Sequence, residues 1–159
     1  MGDDQNAYGI DFIELEEALP EIQRPAGAVS IADYQGAQPG DGVDDSDALI
    51  WAMNQAVNTS SKTVYIPART WELGRKIGLD HSDLTIQGAG MWYTNLRFMS
   101  NQAGGGGFVF NRGVGGVTMT DFYMSSSLTS RSGEKAQYQG LRWIGRGEHP
   151  RRQRVGRAL

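Results

Sequence analysis

The sequence predicts an all-β chain built as a repeat, in which short strands return at intervals and stack, with one short α-helix at the start of the stack. Three observations carry this. Leu84-Thr85-Ile86-Gln87 repeats the pattern of Val64-Tyr65-Ile66-Pro67 twenty positions on, and Val117 and Met119 return to the face of Leu84 and Ile86 after a further 33; a solenoid repeats at about this interval. The 22 glycines, many in short runs, favour a turn-rich β architecture over a helical bundle. A single amphipathic stripe, Ala48, Leu49, Ala52, Met53, Ala56 and Val57, has the i, i+4, i+8 spacing of a helix too short to stand without a surface to cover.

In chain order, residues 1–16 end in Ile10-Asp11-Phe12-Ile13-Glu14-Leu15, which suits one strand packed on both faces. One strand is not a domain. It resembles the last strand of a carbohydrate-binding β-sandwich module, of which residues 1–16 would be a remnant. The resemblance sets Asp11 at a position that ligates a structural calcium in such modules; the other ligands are missing, and an exposed Asp on a strand is the simpler account. Residues 17–28 contain Pro20 and Pro25 and read as a linker, since two prolines forbid a continuing helix or a central strand.

Residues 29–141 hold the organised body. Val29–Tyr34 reads as a short strand, followed by the turn cluster Pro39-Gly40-Asp41-Gly42. Asp41, Asp44, Asp45 and Asp47 do not follow the alternate-position loop of a calcium-binding hand. They read instead as a helix start, with Asp44 or Asp45 capping free amides and the remaining acids favouring the positive end of the dipole. The helix is expected over about 46–58. Trp51 projects from its polar side, either covered by the N-terminal arm or open as a sugar platform. Apolar pairs then mark strands: Val64 and Ile66, Trp71 and Leu73, Ile77 and Leu79, Leu84 and Ile86, Leu96 and Phe98, Phe108 and Phe110, Val117 and Met119. Asp121–Met124 begins another, followed by a polar loop over 125–133. The second coil is longer than the first, and its extra residues are assigned to the loops 88–93 and 99–107, because corners tolerate insertion.

Charge and composition exclude several functions. The net charge is −3, without the clustered basic surface that phosphate binding needs, so no nucleic-acid partner is expected. The average conceals a split: six of the 15 basic residues and one of the 18 acidic ones follow Gln139, leaving the body at −8 and the last twenty residues at +5. There is no cysteine for a disulfide or a thiolate metal site. No apolar run approaches the roughly 18 residues of a membrane span, and Met1-Gly2-Asp3-Asp4 lacks the start of a signal peptide.

Cofactor and metal chemistry are not expected either. Gly88-Ala89-Gly90 follows a strand but has no third glycine at dinucleotide spacing. His81 and His149 are the only histidines. His81-Ser82-Asp83 has the residue types of a hydrolytic triad, but adjacent residues on a turn cannot converge as a triad does. Glycoside hydrolysis requires two carboxyls flanking the bond; Asp83 and Asp121 stand as isolated acids in the strand region, so no catalytic residue is assigned. Trp92 and Tyr93, on a loop, are the substrate-binding candidates, because aromatic faces cover the apolar face of a pyranose; packing over the coil edge is the competing account.

The order V-x-I-x-x-Y-x-G-A, D-G-V-D-D, V-Y-I-P-A-x-T, L-T-I-Q-G-A-G-M-W-Y-T-N-L and a glycine run before F-V-F resembles the N-terminal entry of the pectate-lyase-like right-handed parallel β-helix. G-A-G-M-W-Y-T in particular resembles the bacterial α-1,3-glucanase and mycodextranase family of glycoside hydrolases. The resemblance covers about 28–141. It implies a right-handed parallel β-helix with an N-terminal capping helix, and a polysaccharide of the α-glucan type as partner. It also implies a secreted full-length protein, monomeric if intact, with catalytic aspartates on later coils, so that this chain would be an N-terminal fragment, inactive alone. The basic tail, 142–159, departs from the coil pattern. From Ile144 it can be back-translated so that the frame one base on reads SGEGNTLDDNVWVEH, a further coil; a reading-frame slip is therefore one expectation for the tail, and a disordered basic tail touching anionic surfaces is the other. A non-catalytic glycan-attachment β-helix and a polysaccharide lyase are the alternatives.

Overall fold

A computed structural model describes residues 17–99, 106–128 and 140–144. The strand assigned near Asp11, the part of the polar loop from 129 to 133 and the tail from 145 onward lie outside the described residues. Ten strands are present among the described residues: β1 (Val29–Ser30), β2 (Thr63–Ile66), β3 (Arg69–Leu73), β4 (Ile77–Leu79), β5 (Thr85–Gly88), β6 (Thr94–Phe98), β7 (Phe108–Phe110), β8 (Thr118–Thr120), β9 (Tyr123–Ser126) and β10 (Leu141–Trp143). The same residues hold one α-helix, α1 (Ser46–Ala56).

The strands fall into three sheets, β1-β2-β5-β8, β3-β6-β9 and β4-β7-β10, and every pairing is parallel. From β2 onward the chain visits the three sheets in rotation, so each strand pairs with its counterpart one coil later. This is the arrangement of a parallel β-helix-like fold. Side chains that alternate inward stack by rung: Trp71 lies beside Leu96 and then Met124, and Leu73 beside Phe98. The fully buried interior is Val64, Ile66, Trp71, Leu73, Ile77, Leu79, Leu84, Ile86, Leu96 and Phe108. Each such side chain contributes roughly 1.5–3 kcal/mol through burial.

The register corrects one expected spacing and bears out another. Val64 pairs with Ile86, and Ile66 with Gly88, so the first coil spans 22 residues instead of twenty. A two-residue slip leaves every side chain on its original face, so apolar alternation cannot detect it. The second spacing holds, with Ile86 paired to Met119, 33 residues on. Successive registers locate the eleven extra residues: three enter between β5 and β6, six between β6 and β7, and two between β7 and β8. The two loops predicted to carry the insertion thus hold nine of them.

The strand expected over Val29–Tyr34 is only two residues long. Ser30 ends it by accepting a hydrogen bond at Oγ from the Ala32 amide (3.2 Å), while Asp33 Oδ2 accepts from the Ser30 amide (3.2 Å), which turns the chain into a 3-10 helix over Ile31–Asp33. Helix α1 follows and lies on β1, β2 and this turn, burying Ala48, Leu49, Ala52, Met53 and Ala56. It stops at Ala56, two residues short of the predicted end, where the Thr59 hydroxyl donates to the Ala56 carbonyl (2.8 Å). Trp51 is half-buried with its ring tilted against Tyr34, centroids 5.7 Å apart. Its cover is therefore the turn after β1.

At the helix start the two adjacent aspartates have separate tasks. Asp44 Oδ1 accepts from the Ser46 amide (2.8 Å) and, across the fold, from the Gly74 amide (2.7 Å). Asp45 occupies the N-cap position but its side chain makes no capping bond. At the far end of the chain, β10 carries the coil pattern through Trp143, with Arg142 paired to Val109 and Trp143 to Phe110. The pattern therefore continues past Leu141, where the sequence reading ended it.

Candidate functional site

The segment G-A-G-M-W-Y-T is the corner between β5 and β6. Gly88 closes β5 beneath the Asp121 carbonyl, and a Cβ there would collide with that oxygen and with Phe122. Asp121 holds the corner above, its backbone at a positive φ of 62°, its carbonyl accepting from the Gly90 amide (2.8 Å) and its carboxylate from Gln87 Nε2 (3.1 Å). Ala89 is buried with Ala28 and Tyr65. Thr94, also fully buried, joins two coils: its Oγ1 accepts from the Ala89 amide (2.8 Å) and donates to the Ile66 carbonyl (3.0 Å) one coil below.

The two aromatic candidates take different positions on this corner. Tyr93 packs against the Ala28–Tyr65–Ala89 cluster and donates from its hydroxyl to the Leu19 carbonyl (2.8 Å). Tyr65 does the same one coil earlier, donating to the Ile22 carbonyl (2.6 Å), and the Ile22 amide donates to the Ala89 carbonyl (2.8 Å). Residues 19–22 are thereby strapped along the corner. Burial, with the Glu21 carboxylate beside it, holds the Tyr65 phenol above its ordinary pKa. Trp92 has 71% of its surface exposed, and Met91 next to it is also exposed. Of the pair, Trp92 is open to a ligand, and Tyr93 is engaged by the strap.

The isolated acids of the strand region stand at opposite ends of one sheet. Asp83 precedes β5, with a φ of 58° and its carboxylate against Gly116, whereas Asp121 follows β8. The His81 ring meets Asn54 Oδ1 (2.9 Å from Nε2), whereas the Ser82 hydroxyl accepts from the Gly115 amide (3.1 Å) and the Asp83 backbone amide donates to the Gly115 carbonyl (2.9 Å). They form turns, with no shared focus. Among the described residues no group of three His, Cys, Asp or Glu side chains is arranged to hold a metal ion, and no helix is long and apolar enough to cross a membrane.

No protein-family model and no curated protein matches the chain. A solved structure does. The chain is similar to the crystal structure of the Agl-KA catalytic domain, at 38% sequence identity and a TM-score of 0.65 over 80% of its own length. It spans 22% of that chain. The stacked coils described above therefore share their fold with part of a catalytic domain.

Glu72 carries no functional mark in the sequence. It alternates outward between Trp71 and Leu73 on β3, yet it is 95% buried, as is Asp45, and the Asp45 amide donates to the Glu72 carbonyl (2.7 Å). Desolvation, augmented by the nearby Asp41 and Glu72 carboxylates, pushes the Asp45 pKa up to about 6. Burial would also raise Asp44, but hydrogen bonds from Ser46 and Gly74 and the charge of Arg75 outweigh it and pull that carboxyl below its usual value. No signal local to either residue pairs Asp45 with Glu72, because 27 residues separate them.

Proposed function

We propose that this chain is the N-terminal part of a secreted, polysaccharide-degrading glycoside hydrolase acting on an α-glucan of the α-1,3-glucan or nigeran type. The similarity to a catalytic domain carries the reading, and the G-A-G-M-W-Y-T corner, which resembles the α-1,3-glucanase and mycodextranase family, gives it the substrate class. In this reading the coils wind right-handed, α1 is the cap of the β-helix, and the carboxyls that cleave the bond belong to coils beyond those described. Exposed Trp92 is the sugar-stacking residue. Tyr93, next to it in the chain, is held by the strap through its bond to the Leu19 carbonyl.

Co-sedimentation with insoluble α-1,3-glucan, together with a reducing-sugar assay on α-1,3-glucan and nigeran, tests this. Retention on the glucan without turnover, lost in Trp92→Ala, is the expected result. Robust turnover would sink the claim that the catalytic carboxyls lie outside this chain, and failure to be retained would remove the substrate assignment. A non-catalytic glycan-attachment β-helix is favoured by one observation, that Asp83 and Asp121 are both held in turns. The coils downstream in the gene discriminate: an inward-facing aspartate cluster supports the hydrolase, and a trimerisation segment supports attachment.

A further inference from the structure

We propose that Asp45 and Glu72 form a proton-operated latch between the start of the helix and the first coil, closed while Asp45 carries a proton and loosened when that proton leaves to solvent. The geometry is that of a junction short of donors. Two carboxyl groups, each on a residue 95% buried, present four oxygens. The 38–40 segment supplies the amides that reach them, Gln38 to Asp45 Oδ1 and Gly40 to Glu72 Oε2, both at a long 3.3 Å. Asp45 Oδ2 is buried with no hydrogen-bond partner among the described residues. A buried carboxylate oxygen without a donor favours the neutral acid.

The surrounding charges act in the same direction. Glu72 faces Asp45 from β3 and Asp41 faces it from the turn before the helix, and both are acidic. Arg75, the basic side chain at this junction, is turned away, paired with Asp47 and Asp44. Asp44 has its own donors in the Ser46 and Gly74 amides and stays ionised. Ionising Asp45 therefore sets like charges against one another in the buried junction, a repulsion that the Gln38 amide, which favours the charged form, offsets only in part. The soft elements that hold the 38–40 segment there are the two long amide bonds from Gln38 and Gly40. Opening releases the 38–45 segment and, through the Asp45 amide bonded to the Glu72 carbonyl, the first turn of α1.

Amide hydrogen exchange on the whole chain between about pH 4.5 and 7.5, corrected for intrinsic rates, reads the latch directly. Protection of the Gln38, Gly40 and Asp45 amides is expected to fall as pH rises towards about 6 and to level off above it, by roughly thirtyfold across this range, as the displacement of the Asp45 pKa dictates. The Thr85 and Thr118 amides in the ladder between coils should hold steady. Asp45→Asn, which cannot ionise, should make protection at Gln38 and Gly40 independent of pH. Glu72→Gln should move the midpoint to lower pH by removing the facing charge. Flat protection of the three wild-type amides overturns the proposal, even if neither variant folds. So does a loss shared equally by the ladder amides, or a pH dependence unchanged by Asp45→Asn.

Discussion

At one end of the stack α1 lays Leu49, Ala52 and Met53 over β1 and β2 and leaves them almost wholly buried. At the other, β8, β9 and β10 are the outermost strands of their sheets among the described residues, and Tyr123, Met124, Leu141 and Ile144 stand 38–46% exposed. Residue type does not account for the difference. Leu96 is fully buried and Met124, its partner in register one coil later, is 38% exposed; Phe108 and Leu141 repeat the contrast. In a stack of coils the worth of an inward side chain is set by the rung above it. Open strand edges add unpaired amides and carbonyls to the exposed apolar surface.

The largest expected effect separates the two ends. Leu49→Ala should cost about 2–5 kcal/mol in denaturant unfolding, the range for a leucine deleted from a closed core. Leu141→Ala should stay within about 0.5 kcal/mol, as exposed positions do. Equal costs would mean that the far end is covered as well as the near one. Next in size is pH. The folded pKa of Asp45, about 6, lies above its ordinary 3.8, so its contribution is fully present below about pH 3.8 and disappears as pH rises through 6. The full shift corresponds to about 3 kcal/mol, which solvent screening reduces to about 1–2 kcal/mol. Asp44, with its pKa lowered, contributes in the opposite sense, and its part is lost as pH falls through its folded pKa. A thermal melt series should therefore peak in mild acid, and Asp45→Asn should flatten the decline towards neutrality.

Smaller changes sharpen the picture at the corner. Thr94→Val, which keeps the shape and removes the hydroxyl between the Ala89 amide and the Ile66 carbonyl, should cost about 1–3 kcal/mol by leaving a buried amide unpaired. A neutral result would show that water reaches that corner. Trp92→Ala should change stability least, within about 0.5 kcal/mol, while abolishing retention on α-1,3-glucan.

Much of the stack was legible because each strand is short, apolar at alternate positions and closed by a turn residue, as Val64-Tyr65-Ile66 is by Pro67. The 33-residue return of Met119 to Ile86 followed from the same pattern. The 22-residue first coil did not, because Gly88, the partner of Ile66, is chosen for its lack of a side chain beneath the Asp121 carbonyl. The acidic run before α1 read well as a helix start for Asp44, whose partners are close by, and poorly for Asp45, whose burial is decided by Glu72 on another element. At the candidate site, the loop character of Met91-Trp92-Tyr93 was visible. That Tyr93 would be bonded to Leu19 was not, since Pro20 and Pro25 announce an extended segment without saying what it lies against.

The register has a further consequence for how such a chain assembles. From β2 onward every strand finds its partner 22 to 33 residues away, and the earlier member of each pair always leaves the ribosome first. The helix end can be complete while later coils are still being made, and each finished rung offers an edge on which the next is laid down. Loop closure at these distances is inexpensive in entropy, so growth is expected to proceed in one direction, as synthesis does. Limited proteolysis of stalled nascent chains would reveal it as a protected region that lengthens by one coil at a time; protection arriving all at once with the last strand would contradict it.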